Sequence, residues 1–242
     1  MKKNKLIEFA SAGLPRATAK ISDGRDVTMR AFAVKELKLL MMANASESGQ
    51  DEQVLQVLDQ CIETEGVTAK TLPSHDIELL FVELYKISKG TSLVPVRFRC
   101  THQNEDGEVC GTPINVNANL NNITVEGNSE TTVKLANGLT LNMRHPNVLE
   151  REYFNTESEE AFNLAMRCIF SIDTGSEVLV VGEDVSYEEV AEVIEYLDEK
   201  SFGALVDFVN NIPTIVMHMP LKCPQCGHRE VVTLRGLGDF FD

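Results

Sequence analysis

Four of the six cysteines in this 242-residue chain lie outside helical patterns and could bind one metal ion together. Cys223 and Cys226 flank a Pro-Gln pair, so both thiolates can point to one ion from a tight turn. The glycine after Cys226 relieves the crowded backbone there. Because zinc prefers four ligands in a tetrahedron, we expect another pair of cysteines to complete the site. The sequence predicts one structural Zn²⁺ ion bound by Cys100, Cys110, Cys223 and Cys226.

Alternatives to this site stay open. His102 or His228 could replace one cysteine, because an imidazole nitrogen also binds zinc. The four thiols could also stay reduced without a metal. A thioredoxin-like redox pair fits less well, since that motif opens a helix, whereas a strand follows Cys226. A site closed by four protein ligands leaves no position for water or substrate, so it indicates a scaffold.

Strand-like segments flank both cysteine pairs and must position them. LVPVRFRC and TPINVNANL enclose the first pair, and TIVMHMPLKC and EVVTLRGL enclose the second. Nine polar residues separate Cys100 from Cys110, and we expect them to loop out. The pattern predicts a zinc-ribbon-like module of residues 93–126 plus 213–242, whose two cysteine pairs are separated by 112 residues of chain.

The remaining chain combines helical periodicity with hairpin turns. Residues 1–92 begin with loose alternation around the turn signal Asp23-Gly24 and continue with three helical patterns. Residues 127–212 contain a hairpin signal at Asn137-Gly138, then acidic helical patterns. We therefore expect an α+β fold: a helical bundle with β-hairpins and a split four-cysteine zinc-ribbon-like module.

Two capping boxes mark helix starts in the inserted region. Thr156 with Glu159 precedes AFNLAMRCIF, which predicts a helix through these ten residues. Ser186 with Glu189 precedes VAEVIEYL, which has one apolar stripe. The remaining cysteines, Cys61 and Cys168, fall in helical patterns and are expected as buried small apolar residues.

Charge is distributed unevenly along a chain whose net charge is −15. Residues 150–200 hold 15 acids and 3 bases, whereas the first 110 residues hold 16 acids and 14 bases. Such a chain has few groups to neutralise phosphates, so we expect no nucleic-acid partner. No apolar run reaches about 18 residues, so we expect no membrane span. The acidic stretch indicates either solvated helix faces or a docking surface for a basic partner.

Two segments are candidates for binding a partner protein. One is the acidic stretch, and the other is the C-terminal LRGLGDFFD, whose apolar side chains either pack back on the ribbon or anchor a partner. The candidate residues are Glu188, Glu192, Glu195, Glu199, Leu237, Phe240 and Phe241.

The sequence carries none of the familiar catalytic motifs. The sequence has no Gly-rich phosphate loop and no G-x-S-x-G elbow, and its five histidines are scattered. We therefore expect no enzyme activity and no small-molecule substrate; a site assembled only in the fold is the weaker alternative.

Several stretches resemble, in order, the baseplate hub assembly protein family of T-even-type contractile-tailed bacteriophages. They are MRAFAVKELKLLMMA, TLPSHDIELLFVELYKISKG, VPVRFRC with the strand after it, and LKCPQCGHREVVTLRGLGDFF. Residues 20–120 and 213–241 carry the resemblance, and residues 121–212 fit by length and pattern. The resemblance implies two residues between the first two cysteines, where this chain has nine.

This resemblance implies a non-enzymatic assembly chaperone or hub component that binds other baseplate hub or tail proteins. It also implies a location in the host bacterial cytoplasm or in the virion tail baseplate. The alternative is a zinc-ribbon regulator that acts on the transcription machinery or nucleic acid through a hairpin with Arg97 and Arg99.

Overall fold

The computed structural model describes residues 5–43, 50–153 and 159–241. Helices and short antiparallel strands alternate along these ranges, which confirms the expected mixed α+β class. The helices are α1 (Lys5–Ala12), α2 (Val34–Ala43), α3 (Gln50–Cys61), α4 (Ser74–Lys89), α5 (Glu159–Cys168), α6 (Tyr187–Glu195), α7 (Glu199–Asn210) and α8 (Gly238–Phe241). The strands are β1 (Arg16–Lys20), β2 (Asp26–Arg30), β3 (Leu93–Arg99), β4 (Pro113–Asn119), β5 (Thr124–Glu126), β6 (Thr132–Lys134), β7 (Thr140–Met143), β8 (Ile169–Asp173), β9 (Val178–Val180), β10 (Thr214–Lys222) and β11 (Arg229–Arg235).

The chain divides into two compact units. The first unit comprises Met1–Ala69, His75–Glu126 and Thr214–Asp242. The second comprises Lys70–Ser74 and Gly127–Pro213. The chain thus leaves the first unit after β5 and returns to it at β10. The finer division of the sequence into three regions stays a prediction.

The first unit begins with α1 and the hairpin of β1 and β2. The hairpin turns at Asp23-Gly24, as predicted, and pairs Arg16 with Arg30 at its open end. Helix α1 differs from the expectation, because the loose alternation of residues 5–33 predicts strands there.

Helix α4 is the central helix of the first unit. Its expected apolar stripe is buried and consists of Ile77, Leu80, Phe81 and Leu84. Its first turn accepts hydrogen bonds from Ser22, whose backbone N–H lies 2.9 Å and whose hydroxyl lies 2.7 Å from the carboxylate of Asp76. This carboxylate therefore ties the turn after β1 to the start of α4.

A buried carboxylate on α4 also fixes the start of β10. Glu78 is 4% exposed and accepts hydrogen bonds from the hydroxyl of Thr214 at 2.8 Å and the N–H of Ile215 at 3.0 Å. A buried carboxylate is tolerated when donors satisfy it, and here the donors belong to the strand that leads to the second cysteine pair.

Two hairpins of the first unit carry the cysteines. Strands β3 and β4 pair from Leu93↔Asn119 to Arg99↔Pro113. Strands β10 and β11 pair from Val216↔Arg235 to Lys222↔Arg229, and β5 adds a third strand beside β10. The hairpins share one core, whose buried members are Val82, Val94, Ala118, Leu120, Ile215, Met217, Met219, Leu221, Leu234 and Phe240.

The second unit packs helices on a four-stranded antiparallel sheet with the order β6-β7-β8-β9. The hairpin of β6 and β7 turns at Asn137-Gly138, as predicted. The capping box of α6 is confirmed, because the side chains of Ser186 and Glu189 bond to each other's backbone N–H. Thr156, the predicted cap of α5, lies outside the described residues. Leu141, Ile169, Leu205 and Phe208 are among the buried core residues.

Candidate metal centre

The first cysteine pair lies at the junction between β3 and β4. The backbone N–H of Cys100 donates to the carbonyl of Thr112 at 2.9 Å, which extends the strand pairing by one step. The N–H of Gly111 returns to the carbonyl of Cys100 at 3.0 Å. These two bonds close a tight loop and place Cys100 and Cys110 on one side of it.

The second cysteine pair has the same backbone pattern between β10 and β11. The N–H of Cys223 donates to the carbonyl of His228 at 2.8 Å, and the N–H of Gly227 donates to the carbonyl of Cys223 at 3.1 Å. Cys100 and Cys223 thus occupy equivalent positions, as do Cys110 and Cys226.

Each loop needs a glycine directly after its second cysteine. Gly111 has φ of 64° and Gly227 has φ of 74°, in the left-handed region that L-residues with a side chain adopt at a cost. The expectation of a glycine in the loop concerned only the one after Cys226. The Cys-Gly dipeptide that both pairs share was the available signal for their equivalence.

The seven residues 103–109 account for the long spacing of the first pair. They form their own small hairpin, in which Gln103 pairs with Val109. The N–H of Cys110 donates to the carbonyl of His102 at 2.8 Å and closes this hairpin at its base. The nine-residue spacing is therefore a two-residue loop with a hairpin inserted into it, a more ordered arrangement than the expected polar loop.

The four thiols gather at one point. The Sγ atoms of Cys100 and Cys226 are 3.7 Å apart, and those of Cys110 and Cys223 are 3.8 Å apart. All four sulfur atoms lie within 4.8 Å of one another. A tetrahedron with zinc–sulfur bonds of about 2.3 Å has edges of about 3.8 Å. The cluster could therefore bind a metal, and its donor set and spacing fit a zinc ion.

Backbone amides point at the sulfur atoms. Each sulfur accepts a hydrogen bond from an N–H two residues further along the chain: that of His102 for Cys100, Thr112 for Cys110, Gln225 for Cys223 and His228 for Cys226. Such donors stabilise thiolates, which are the metal-binding form of cysteine.

The thiols differ in how readily they lose a proton. The N–H of Cys226, helped by that of Gln225, outweighs burial and lowers the pKa of Cys223 to about 6. The N–H of His102 acts to lower the pKa of Cys100. Burial and the neighbouring thiols act in the opposite direction and outweigh it, so the pKa of Cys100 is raised to about 12. Cys223 is therefore largely a thiolate at neutral pH, the state that a metal ion needs.

Contacts around the sulfur atoms link the two loops. The hydroxyl of Thr112 lies 3.1 Å from the Sγ of Cys110 and 2.8 Å from the Oε1 of Gln225 in the other loop. The rings of His102 and His228 lie with centroids 4.6 Å apart and are tilted by 32° to each other. Among the described residues, the group that could hold a metal consists of the four cysteines without either histidine. Sequence reasoning missed Thr112, because a lone threonine carries no spacing signal.

The other two cysteines lie outside the four-cysteine cluster. Cys61 and Cys168 are both fully buried, as predicted. Burial raises the pKa of Cys61 to about 11 and that of Cys168 to about 12. Both thiols therefore stay protonated and pack as small apolar side chains.

The expected partner-binding acids lie on exposed positions of the second unit. Three of them follow one side of α6 at spacings of four and three residues, and the fourth begins α7. These exposed residues are Glu188, Glu192, Glu195 and Glu199.

The C-terminal tail packs into the first unit. Phe240 is 3% exposed, and Leu237 and Phe241 are partly buried against the same core. The ring of Phe241 lies 5.5 Å from that of Phe81 and 4.8 Å from that of Tyr85 on α4. A role of these three residues in binding a partner stays a prediction.

Comparison with known proteins gives one consistent result. The family described as T4 bacteriophage base plate protein matches residues 15–242, a range that includes all four clustered cysteines. The baseplate hub assembly protein gp26 of Enterobacteria phage T4 is 25% identical over 216 residues, which are 89% of this chain and 92% of that protein. No solved structure matches the chain. In the described part of the chain, no helix is both long and apolar enough to cross a membrane.

Proposed function

Because this chain belongs to the T4 bacteriophage base plate protein family, we propose that it is a non-enzymatic factor for assembly of the phage tail baseplate hub. Membership confirms the resemblance found in the sequence and supports a role in baseplate assembly. The observation that carries the proposal is the match to the T4 hub assembly protein over 92% of that protein's length. The factor acts by binding other baseplate or tail proteins, as a chaperone or as a hub component.

The four-cysteine cluster supports a structural metal in this proposal. One Zn²⁺ ion bound by Cys100, Cys110, Cys223 and Cys226 closes the ends of two hairpins that are far apart in sequence. Because four thiolates fill a tetrahedral zinc site, the ion adds folding energy to the first unit and takes no part in turnover. The first unit then acts as a rigid scaffold.

The acidic face of α6 and the start of α7 supports the proposed contact with a partner. Glu188, Glu192, Glu195 and Glu199 are exposed, and they belong to a region of the chain, residues 150–200, with only 3 bases. A basic, apolar surface of a hub protein would be attracted to this face and covered by it until assembly. The protein works in the host bacterial cytoplasm and, as a hub component, in the virion tail baseplate.

A tagged pull-down from phage-infected cells tests this proposal. We expect baseplate hub or tail proteins in the eluate, and we expect their loss when Glu188, Glu192, Glu195 and Glu199 are all changed to Lys. The matched control reverses four exposed acids of the first unit, which gives the same net charge: Glu52, Glu65, Glu105 and Asp106.

Three results would count against the proposal. Unchanged capture by the α6 variant would sink the acidic-face mechanism. Absence of any tail protein from the wild-type eluate would overturn the assembly role. RNA polymerase subunits or nucleic acid in the eluate would favour the zinc-ribbon regulator, with Arg97 and Arg99 on β3 as its exposed bases.

A further inference from the structure

Helix α2 of the first unit buries a carboxylate and exposes large apolar side chains. Its acidic residue Glu36 is fully buried, whereas Val34, Met41 and Met42 are 67%, 65% and 64% exposed. A surface helix ordinarily buries its apolar stripe and exposes its charges. The outer face of α2 therefore exposes three large apolar side chains to solvent.

An ion pair holds α2 in this orientation. The Oε1 atom of Glu36 lies 2.7 Å from Nη2 of Arg30, and its Oε2 atom accepts from the N–H of Ala33 at 2.9 Å. Lys35 approaches the same carboxylate at 3.2 Å. The buried charge is thus satisfied inside the unit, and the exposed apolar stripe is a property of the folded helix.

The exposed stripe has a basic edge. Val34, Leu37 and Met41 follow each other at spacings of three and four residues and so line one side of α2. Lys38 lies on the same side, next to Val34 and Met42 on the helical wheel, and it is exposed. Methionines are adaptable contact residues, and an exposed apolar stripe with one sign of charge indicates a protein partner of opposite sign.

The chain itself carries a surface of that opposite character. Glu192 and Glu195 of α6 are exposed, and Tyr196, the residue directly after this helix, is 90% exposed. Tyrosine is enriched in protein interfaces, where it fills apolar contacts, and its ring suits the thioethers of α2.

We propose that the outer face of α2 binds the acidic face of α6 of a second copy of this chain. Lys38 then faces Glu192 and Glu195, while Tyr196 covers Met41 and Met42. The contact involves one helix of each copy, so it buries less than the about 800 Å² per partner of a standard interface and is weak and reversible. Because it uses the acidic face proposed above for hub binding, self-association and hub binding compete.

Sedimentation velocity of the purified wild-type protein over a concentration series tests the proposal. We expect reversible association that weakens as salt rises, since screening shortens the reach of these charges. Two variants each lose association about tenfold or more: Lys38→Glu/Met42→Glu on α2 and Glu192→Lys/Glu195→Lys on α6. Lys35 is left unchanged because it contacts the buried Glu36.

Mixing the two variants gives the decisive measurement. Alone, each variant presents like charges on both faces, but the mixture offers two complementary pairs: the reversed α2 with the reversed α6, and the native α6 with the native α2. We therefore expect association to return in the mixture. The control Lys20→Glu/Lys134→Glu changes the net charge at exposed lysines elsewhere and keeps wild-type association.

Each remaining outcome contradicts the inference. A wild-type protein that stays monomeric overturns it, as does a mixture of folded variants that fails to associate. Circular dichroism melts establish that both variants are folded before the mixing step. No hub protein is present in these measurements, so their failure leaves the proposed hub function standing, and the pull-down can fail independently.

Discussion

The two cysteine loops differ in sequence and agree in geometry. Two residues separate Cys223 from Cys226, and nine separate Cys100 from Cys110. Yet in both loops the N–H of the first cysteine donates to the carbonyl of the residue two positions after the second cysteine. The N–H of the glycine directly after the second cysteine donates to the carbonyl of the first cysteine. Backbone register, and not spacing along the chain, therefore determines where the thiols point. A hairpin inserted between two fixed hydrogen bonds leaves that register unchanged.

The largest expected effect tests whether the loops contribute equally to the metal site. Cys110→Ser and Cys223→Ser each remove one of four ligands, so both should lose bound zinc. Each should lower the free energy of unfolding by about 3 kcal/mol or more, a part of the about 10–16 kcal/mol that structural zinc binding contributes in zinc-finger peptides. Metal analysis of the purified variants and thermal melts measure this.

Cys61→Ala is the matched control for that experiment, because this buried cysteine lies outside the cluster. It should keep one zinc per chain while its melting temperature falls. Retained zinc in the Cys110 variant, with loss in the Cys223 variant, would mean that only the second loop holds the ion.

A smaller effect tests the equivalence of the two glycines. Gly111→Ala and Gly227→Ala each force a side chain into the left-handed region, at a cost of about 1–2 kcal/mol. A Cβ added at Gly227 has no atom within 4 Å. A Cβ added at Gly111 lies 3.9 Å from the carbonyl oxygen of Val109, so neither variant adds a clash. Chemical denaturation should give equal losses, within about 0.5 kcal/mol, for the two variants. Unequal losses would show that the loops are not interchangeable.

Thr112 is where the loops differ in chemistry, since the equivalent position in the second loop is His228. Thr112→Val keeps the shape and removes the hydroxyl that contacts Cys110 and Gln225. We expect a loss of about 1 kcal/mol with zinc still bound, because one hydrogen bond near the thiolate disappears. Competition with a chelator should then extract zinc faster than from the wild type. Equal extraction rates would remove Thr112 from the metal site.

The smallest effect is expected from the inserted hairpin itself. Deletion of residues 103–109 joins His102 to Cys110 and gives the first loop the two-residue spacing of the second. Because the bonds from Cys100 to Thr112 and from Gly111 to Cys100 lie outside the deleted segment, zinc content should stay unchanged. The free energy of unfolding should shift by only about 0.5 kcal/mol, the scale of a change in loop length. Loss of zinc from this variant would mean that the hairpin is needed to place Cys100 and Cys110 for metal binding.

The sequence was informative where local chemistry decides the structure. The Cys-x-x-Cys pair, the turns at Asp23-Gly24 and Asn137-Gly138, and the capping box at Ser186 are each set by neighbouring residues, and all appear in the structure. The pairing of the first and second loops was inferred from flanking strands, because only the fold brings residues 113 positions apart together.

Structure that depends on distant pairing was harder to predict. The pattern AFNLAMRCIF predicts a helix to its end, but α5 ends at Cys168 and Ile169 begins β8. Ile169 pairs with Met143 of β7, so pairing with a strand distant in sequence makes this residue extended although the helical periodicity continues through it. The inserted hairpin 103–109 differs from the expected polar loop for a local reason: Gln103 pairs with Val109, and the N–H of Asn104 donates to the carbonyl of Glu108 at 2.9 Å.

The insertion of the second unit into the sequence of the first has a consequence for synthesis on the ribosome. The thiol of Cys110 is made 113 residues before that of Cys223. At about 5–20 residues per second, roughly 6–20 seconds pass between them. During this interval β3 and β4 exist without β10, which shares their core. The thiols of Cys100 and Cys110 are then present without those of Cys223 and Cys226. The cluster can gather only after Cys223 and Cys226 have been translated, and both follow the entire second unit in the sequence.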